Sequence, residues 1–481
     1  MKQAVGPTSQ ELRRALHEAA DWVASYLETV GERPVLAQVA PGEIAASLPF
    51  SAPEQAEPLA HILGDVDRLL LPGITHWNHP SFFAYFGISG SGPGIIGELL
   101  SAALNVNAML WRTSPAATEL EQRVLAWVAE MLGLPRQWFG EITDTASAST
   151  LYALAAAREA AGVQVREEGM AGRSDLPPLA LYTSTQAHSS VDKAAIALGI
   201  GRRWTRHIDT DAEFRMRPDL LEQAIAADLA AGVKPIAVVA TVGTTSSTSI
   251  DPVSAIAEVC ERHGLWLHVD AAYGGAAALL PSHRHVLEGC ERADSFVTNP
   301  HKWLLTPIDC SLLYTRRPDD LKRAFSLVAE YLRTNESDVI NLMDYGLSLG
   351  RRFRALKLWM VIRAYGKAGL SQILTGHIDE AGWLADRIDA EPGWKRLAPV
   401  PFSTICFRHL PPHTTDPEVH NTKILDAVNA SGSAFLSHTK LNGVYALRVA
   451  IGNQATAHEH VAGLWEQLKN AAKSVSSAGP Q

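Results

Sequence analysis

"LWLHVDAAYGG" (265–275) and "FVTNPHKWLLTP" (296–307) are the two stretches that decide the fold. Each begins as a short apolar run of strand character. The first ends on Asp270, and the second runs on to Lys302, beside His301. The end of a buried strand is a costly place for a charge unless the charge is paired or used. The two residues lie 32 positions apart, an interval that fits one helical crossover. Both side chains then reach one sheet edge, where open α/β sheets bind ligands. Taken singly, Asp270 reads as half of a structural salt bridge. Lys302 alone reads equally well as a surface lysine with its stem on apolar ground. Together they form a candidate site, because a desolvated lysine has a lowered pKa and acts as an amine nucleophile.

Further apolar runs extend this pattern on both sides. "LALYTS" (179–184), "PIAVVATVG" (235–243), "SFVTN" (295–299) and "SLLYT" (311–315) read as strands, with helices between most of them. One helix is expected over 252–263, with Asp251 as N-cap, and another over 114–132, between Ser114 and Gly133. Strands buried on both faces and separated by helices predict a mainly parallel α/β sheet. After residue 350 a long helical stretch precedes "PFSTICFRHL" and "YALRVAIG", the pattern of a smaller α+β domain, and the tail "KSVSSAGPQ" is expected to be disordered. The expected division is 1–95, 96–385 and 386–481. The first part is helical and opens on an amphipathic helix with a Thr8–Glu11 capping box and an apolar face of Leu12, Leu16, Ala19, Val23 and Leu27. Such a face suits a partner subunit.

Composition narrows the function classes. With 47% hydrophobic and 19% charged residues, the chain of 481 is an ordinary folded one, and its net charge of −9 disfavours nucleic acid. No apolar run approaches a membrane span and no signal segment opens the chain, so a cytoplasmic location is expected. Four scattered cysteines, without CxxC, read as buried free thiols. "HRH" (283–285) and "HEH" (458–460) read as solvated histidines, so no metal is expected. "GPGIIG" (92–97) matches GxGxxG but lacks a clear strand–turn–helix setting, and is read as a glycine-rich loop.

Two more features join Asp270 and Lys302. "TDTASASTLYALAAAREA" (143–160) places small hydroxyl residues before a helix, a ready anion site. "STQAHSSVDKAA" (184–195) puts His188 at a strand-to-helix turn, where it could stack on a planar ring or cap the turn. A phosphate cradle, a stacking group, a carboxylate for a ring nitrogen and an amine are the set that holds pyridoxal phosphate as a lysine Schiff base.

At this point the motifs "HVDAAYGG", "NPHKW", "IDCS", "AHSSVDKAA", "YLR", "LGRRFRALKLW", "HWNHPSFFAYF" and "SPAATELE" resemble, in order, the blocks of the group II pyridoxal-phosphate decarboxylases, in particular the aromatic L-amino acid decarboxylases. The resemblance runs from about residue 10 to 470. It implies fold type I, the aspartate-aminotransferase-like fold, with a mainly parallel seven-stranded sheet, and a homodimer with active sites at the interface. It implies that Lys302 binds the cofactor's aldehyde carbon, that Asp270 pairs with the pyridine nitrogen and that His188 stacks on the ring. Ala146, Ser147, Asn299 and His301 would bind phosphate. Ala272 would pack under the ring, with Thr245 near its oxygen or the substrate. One departure is Asp144, where the family often has glycine. Tyr331, on a loop of about 327–338 that would act as a lid, would protonate the substrate's Cα; aldehyde-forming relatives tend to have phenylalanine there.

The resemblance also points to Trp77, Tyr85, Phe86, Met109, Ile308 and Gly350 as the substrate pocket, with Met109 and Ile308 reaching the neighbour's site. No arginine stands at these positions to pair a second carboxylate. Ile88 and Met109 depart from the family, and imply a preference for tryptophan or phenylalanine over DOPA. The expected reaction is decarboxylation of an aromatic L-amino acid to its amine. Rival readings are an aldehyde synthase, a decarboxylase of a non-aromatic amino acid, a nicotinamide oxidoreductase using "GPGIIG", and a cofactor-binding protein without activity.

Overall fold

A computed structural model describes residues 6–327, 339–412 and 414–477. The larger sheet has seven strands: β1 (Phe139–Thr143), β2 (Leu179–Ser184), β3 (Thr205–Ile208), β4 (Lys234–Thr241), β5 (Trp266–Asp270), β6 (Ser295–Thr298) and β7 (Ser311–Thr315). Their spatial order is β1-β7-β6-β5-β4-β2-β3, and only the pairings of β7, with β6 and with β1, are antiparallel. The mainly parallel sheet expected from the buried apolar runs is therefore present. β2, β4, β5, β6 and β7 match the sequence reading to within two residues. β1 and β3 were not among the strands read from sequence: "FGEIT" carries a central glutamate and "TRHI" alternates with charge, so neither reads as a buried run.

The crossover between β5 and β6 differs from expectation. It is three 3₁₀ segments, Gly274–Leu279, Pro281–Leu287 and Cys290–Arg292, rather than one α-helix. The small residues of "GGAAAL" let this segment pack flat, with every side chain from Gly274 to Leu279 buried. The register outcome is unchanged: Asp270 faces Val297 in the β5–β6 ladder, with Lys302 just beyond.

A second, antiparallel sheet is ordered β10-β11-β9-β8, from β8 (Trp394–Arg396), β9 (Thr404–His409), β10 (Ser437–Leu441) and β11 (Val444–Ala450). The helix Ala355–Ala390, with a break at Gly366 (φ 61°), packs against both sheet units. The last helix, His458–Ser477, includes Lys473–Ser477 of the tail expected to be disordered, where Val475 packs against the core of the small sheet.

"GPGIIG" is not a loop. Ser91 precedes the helix Gly92–Leu104, with Pro93 in its first turn, so the glycines lie inside a helix with no strand before it. Their reason is packing. A Cβ on Gly97 would sit 2.5 Å from Lys357 Cα, and one on Gly94 would sit 2.3 Å from Pro307 Cδ. Asp251 is not a helix cap either. The helix is Val253–His263, and the buried Asp251 carboxylate accepts the N–H groups of Met216 and Thr241 at 2.7 and 2.8 Å. The expected helix at 114–132 is found as Pro115–Leu132, with Ser114 accepting from Ala117 N and Gly133 closing it in the left-handed region. All four cysteines are free and buried.

Candidate active site

The C-terminal ends of β1, β2, β4, β5 and β6 open on one cavity of about 420 Å³. From β1 come Thr145, Ala146 and Ser147; from β2, His188; from β4, Thr245; from β5, Asp270 and Ala272; and from β6, Asn299, His301 and Lys302. The four groups picked out along the chain thus converge, although they span more than 150 positions.

The turn that carries Lys302 is held by its neighbour. Trp303 is fully buried, stacks on Tyr273 at 4.8 Å and donates to His377 Nδ1 at 3.0 Å. Burial of so large a ring contributes about 3 kcal/mol. Lys302 Nζ lies 5.1 Å from the centre of Phe86, with no carboxylate in ion-pair range among the described residues. Burial lowers its pKa, Asp270 works in the opposite sense, and Arg448 lowers it further. Asp270 is buried and accepts the Ala272 N–H at 3.0 Å, which holds its carboxylate still. His188 accepts the Ser190 N–H on Nδ1 at 3.1 Å; burial lowers its pKa, so the ring is neutral and carries its proton on Nε2.

The anion cradle has a clear donor set. In the helix Ala146–Ala160 the N–H groups of Ala148 and Ser149 already donate to Thr145 O, and Thr145 makes no side-chain cap. That leaves Ala146 and Ser147 with free N–H groups at a helix N-terminus. The Asp144 carboxylate takes the Thr145 N–H at 2.6 Å and does not line the cavity. Its charge is turned to the chain, so this departure leaves the cradle open. His301 accepts from Cys310 N on Nδ1, and burial pushes its pKa down to about 4. Buried Asn299 Oδ1 and Thr241 Oγ1, at the same cavity, have no hydrogen-bond partner among the described residues. Free amide donors, a neutral imidazole, orphaned polar atoms, a buried carboxylate and a desolvated amine fit pyridoxal phosphate.

Of the expected substrate pocket, Trp77, Tyr85 and Phe86 line this cavity, as does Ile88. Met109, Ile308 and Gly350 do not. Met109 packs with Leu110 and Met343, Gly350 lies against Asn107, and Ile308 is 54% exposed. Asn107 links Met109 to the residue after Gly350: its Nδ2 reaches Met109 Sδ and its Oδ1 accepts Arg351 N. Tyr331 lies outside the described residues, as does nearly all of the expected lid.

Sequence reasoning missed the contribution of the small sheet. Arg448, on β11, is buried and lines the cavity. It donates to Ser246 O at 2.9 Å, to Thr245 O at 3.1 Å and to Tyr85 O at 2.5 Å, and its guanidinium lies 4.6 Å from the centre of Phe86. An arginine thus does stand in the cavity, but its three nitrogens each hold a main-chain carbonyl. The signal was present: an arginine inside the apolar "YALRVAIG" is as costly as Lys302 in its own setting. Ser437, His438 and Thr439 of β10 also line the wall, with Thr439 Oγ1 2.7 Å from Ser246 Oγ.

Residues 41–410 match the family described as "Pyridoxal-dependent decarboxylase conserved domain". A phenylacetaldehyde synthase of Arabidopsis thaliana is 41% identical over 477 residues, covering 96% of each chain. Tyrosine decarboxylase 4 of Petroselinum crispum is 41% identical, covering 96% of this chain and 93% of its own. A crystal structure of Oryza sativa TDC with PLP and tryptamine superposes with a TM-score of 0.94 at 36% identity, over 98% of this chain and 99% of that one. With the lysine, the carboxylate and the anion cradle converging on one cavity, the chain belongs to the pyridoxal-dependent decarboxylases and uses pyridoxal phosphate as its cofactor.

Proposed function

We propose that this protein decarboxylates an aromatic L-amino acid to the arylalkylamine and CO₂. The observation that carries the reading is the wall over Lys302. Trp77 stacks near Tyr85 at 5.9 Å, Phe86 stacks on Tyr273 at 4.0 Å, and the one buried guanidinium at this wall is occupied by carbonyls. This surface suits a flat apolar ring and, among the described residues, offers no free guanidinium to a second carboxylate. Relatives named tyrosine decarboxylase and tryptophan decarboxylase support the substrate class.

Pyridoxal phosphate, when bound, supplies the electron sink that takes up the pair left behind by CO₂. The chain does the rest. Ala146 and Ser147 N–H groups, with Asn299 and His301, would hold the phosphate. Lys302, whose amine is desolvated, would hold the aldehyde carbon. Asp270 would pair with the pyridine nitrogen and keep it protonated, and His188, Ala272 and Thr245, which line the same cavity, would contact the ring. Tyr331 delivers the proton to Cα. A phenylacetaldehyde synthase among the relatives makes aldehyde formation the second reading. Tyr331, in place of phenylalanine, favours the amine.

The same proposal includes a cytoplasmic homodimer. None of the residues of the helix Ser9–Thr29 is buried, and Leu12, Leu16, Leu99, Leu104, Ile308 and Leu347 stand exposed. A second copy would cover them and bring Met109, Ile308 and Gly350 to its neighbour's cavity. The three parts 1–95, 96–385 and 386–481 would then be a dimerising arm, a cofactor domain and a small domain, the last two bridged by the helix Ala355–Ala390.

The test is direct. Holoenzyme is incubated with Trp, Phe, Tyr, DOPA, His and Glu, with product masses and oxygen uptake followed. The reading requires amine from an aromatic acid without stoichiometric oxygen uptake. Turnover of His or Glu alone would overturn the substrate class, and aldehyde with oxygen uptake would establish the second reading. Ile88 predicts a higher kcat/KM for Trp or Phe than for DOPA.

A further inference from the structure

Asn299 and His301 stand beside Lys302, just past the end of β6, and both are buried at the cavity. The main chain of Asn299 is fully used. Its N–H donates to Ala272 O at 3.1 Å, and its carbonyl accepts the Lys302 N–H at 3.0 Å. What remains is the side-chain amide, one end of which meets His301 Nε2 at 3.3 Å. The other end is buried and has no partner among the described residues.

His301 decides which end is which. The Cys310 main-chain N–H can only donate, and it reaches Nδ1 at 3.0 Å. Nδ1 therefore carries no proton, and the ring has its single proton on Nε2. Burial acts in the same sense, pushing the pKa of the ring down to about 4 and keeping it neutral. The Cys310 donor is itself held in place. Arg354 grips the carboxylate of Asp309, the residue before it, at 3.0 and 3.1 Å, and Cys310 O accepts the His301 main-chain N–H at 3.4 Å. Nε2–H needs an acceptor, and the amide next to it has one. Were Nδ2 on that side, two donors would face each other. The oxygen and nitrogen of an amide are told apart by their partners, so Oδ1 lies toward His301 and Nδ2 is the buried end without one. An unpaired N–H₂ in such a place is costly until an acceptor arrives. An imidazole that gives its only proton to Asn299 has none left for an anion.

We propose that Asn299 is the side-chain donor to the cofactor's phosphate and that His301 is its positioning residue, acting through Asn299 and not on the phosphate itself. Hydrogen bonds then run in one direction, from the Cys310 N–H to His301, from His301 to Asn299 Oδ1, and from Asn299 Nδ2 to the anion. This deepens the phosphate site of the proposed function, rests on it, and divides the work between the two side chains named there.

A double-mutant cycle tests the division. Apoenzyme of the wild type, Asn299→Ala, His301→Leu and the double variant is titrated with pyridoxal phosphate and with pyridoxal, which lacks the phosphate, and protein fluorescence is followed. Each single variant loses one hydrogen bond to a charged group or its support, so affinity for pyridoxal phosphate is expected to fall by about 10–100-fold. Affinity for pyridoxal should stay that of the wild type. With Asn299 gone, His301 has nothing to act through, so the double variant should bind like Asn299→Ala alone. His301→Gln keeps an N–H near the Nε2 position and should recover most of the affinity. Losses that add in the double variant would mean that His301 meets the phosphate on its own, and would overturn the relay. An equal loss for pyridoxal would overturn it too, since a general disturbance of the site takes no account of the phosphate. Should His301→Leu fail to fold, His301→Asn takes its place in the cycle: its shorter amide still accepts the Cys310 N–H but does not reach Asn299. If Asn299→Ala leaves affinity for pyridoxal phosphate unchanged, the placing of the phosphate at Asn299 fails, whatever His301 does.

Discussion

Arg448 donates from Nε to the main-chain oxygen of Ser246 at 2.9 Å, tying a strand of the small sheet to the loop that follows β4. The same guanidinium holds Thr245 O and Tyr85 O. One side chain therefore sets the spacing between the Tyr85–Phe86 wall and the Thr245–Ser246 wall of the cavity. Arg448→Met leaves three carbonyls without their donor. A loss of about 3 kcal/mol in transition-state stabilisation is expected, roughly 100-fold in kcat/KM. Arg448→Lys keeps the charge but not the planar fork, and should recover less than half of that free energy. Steady-state kinetics on the favoured substrate checks both.

Lys302 is desolvated, and Asp270 is the influence that raises its pKa. Asp270→Asn should therefore lower the Lys302 pKa further. In apoenzyme, the pH profile for reductive methylation of Lys302, followed by peptide mass, is expected to move to lower pH. A profile that stays in place or moves up would mean that the two groups do not interact. Lys302→Ala should abolish the visible absorbance of lysine-bound cofactor.

Tyr331 governs the product in the proposed reaction. Tyr331→Phe is expected to lower amine output and to raise aldehyde, ammonia and peroxide, with oxygen consumed in step. Unchanged amine formation without oxygen uptake would remove Tyr331 from the proton-delivery step.

Gly97 meets the backbone of Lys357, a lysine whose side chain is fully buried and whose Nζ lies 3.1 Å from Glu98. Gly97→Ala forces the helices Gly92–Leu104 and Ala355–Ala390 apart. Destabilisation of about 1–3 kcal/mol is expected, read as a fall in the urea midpoint. Nicotinamide cofactors should not bind to either form.

Glu141 is buried on β1, and its pKa is pushed up to about 8 by burial, with Arg351 acting against the shift and Glu121 adding to it. Its unfolded value is near 4.5. The native state thus holds a proton that the unfolded state releases between these pH values. Its contribution is fully present below about pH 4.5 and is lost as pH rises toward 8, at up to about 1.4 kcal/mol per pH unit. Glu141→Gln should remove that slope and gain on the wild type steadily from pH 5 to 8 in urea unfolding.

Much of this was legible along the chain because burial leaves a local mark. Apolar runs of strand length located β2, β4, β5, β6 and β7, and charges out of place marked Asp270 and Lys302. β1 was not legible, since the acid at its centre reads as a surface charge in the sequence, whereas burial in the folded chain holds it protonated. The glycines of "GPGIIG" were read as a loop because close approach to Lys357 depends on a helix more than 250 positions away. Arg448 carried the same mark as Lys302, but its role depends on carbonyls of two distant loops.

The sequence by itself determined the fold class and singled out Lys302, Asp270 and the small hydroxyl residues ahead of the helix Ala146–Ala160, because each is legible from residue type and from spacing along the chain. Only the tertiary structure decided that Arg448 joins the two walls of the cavity and that Thr439 of the small sheet meets Ser246 at its rim. Those facts depend on hydrogen bonds between strands and loops far apart in the chain, and such partners are chosen by packing in three dimensions.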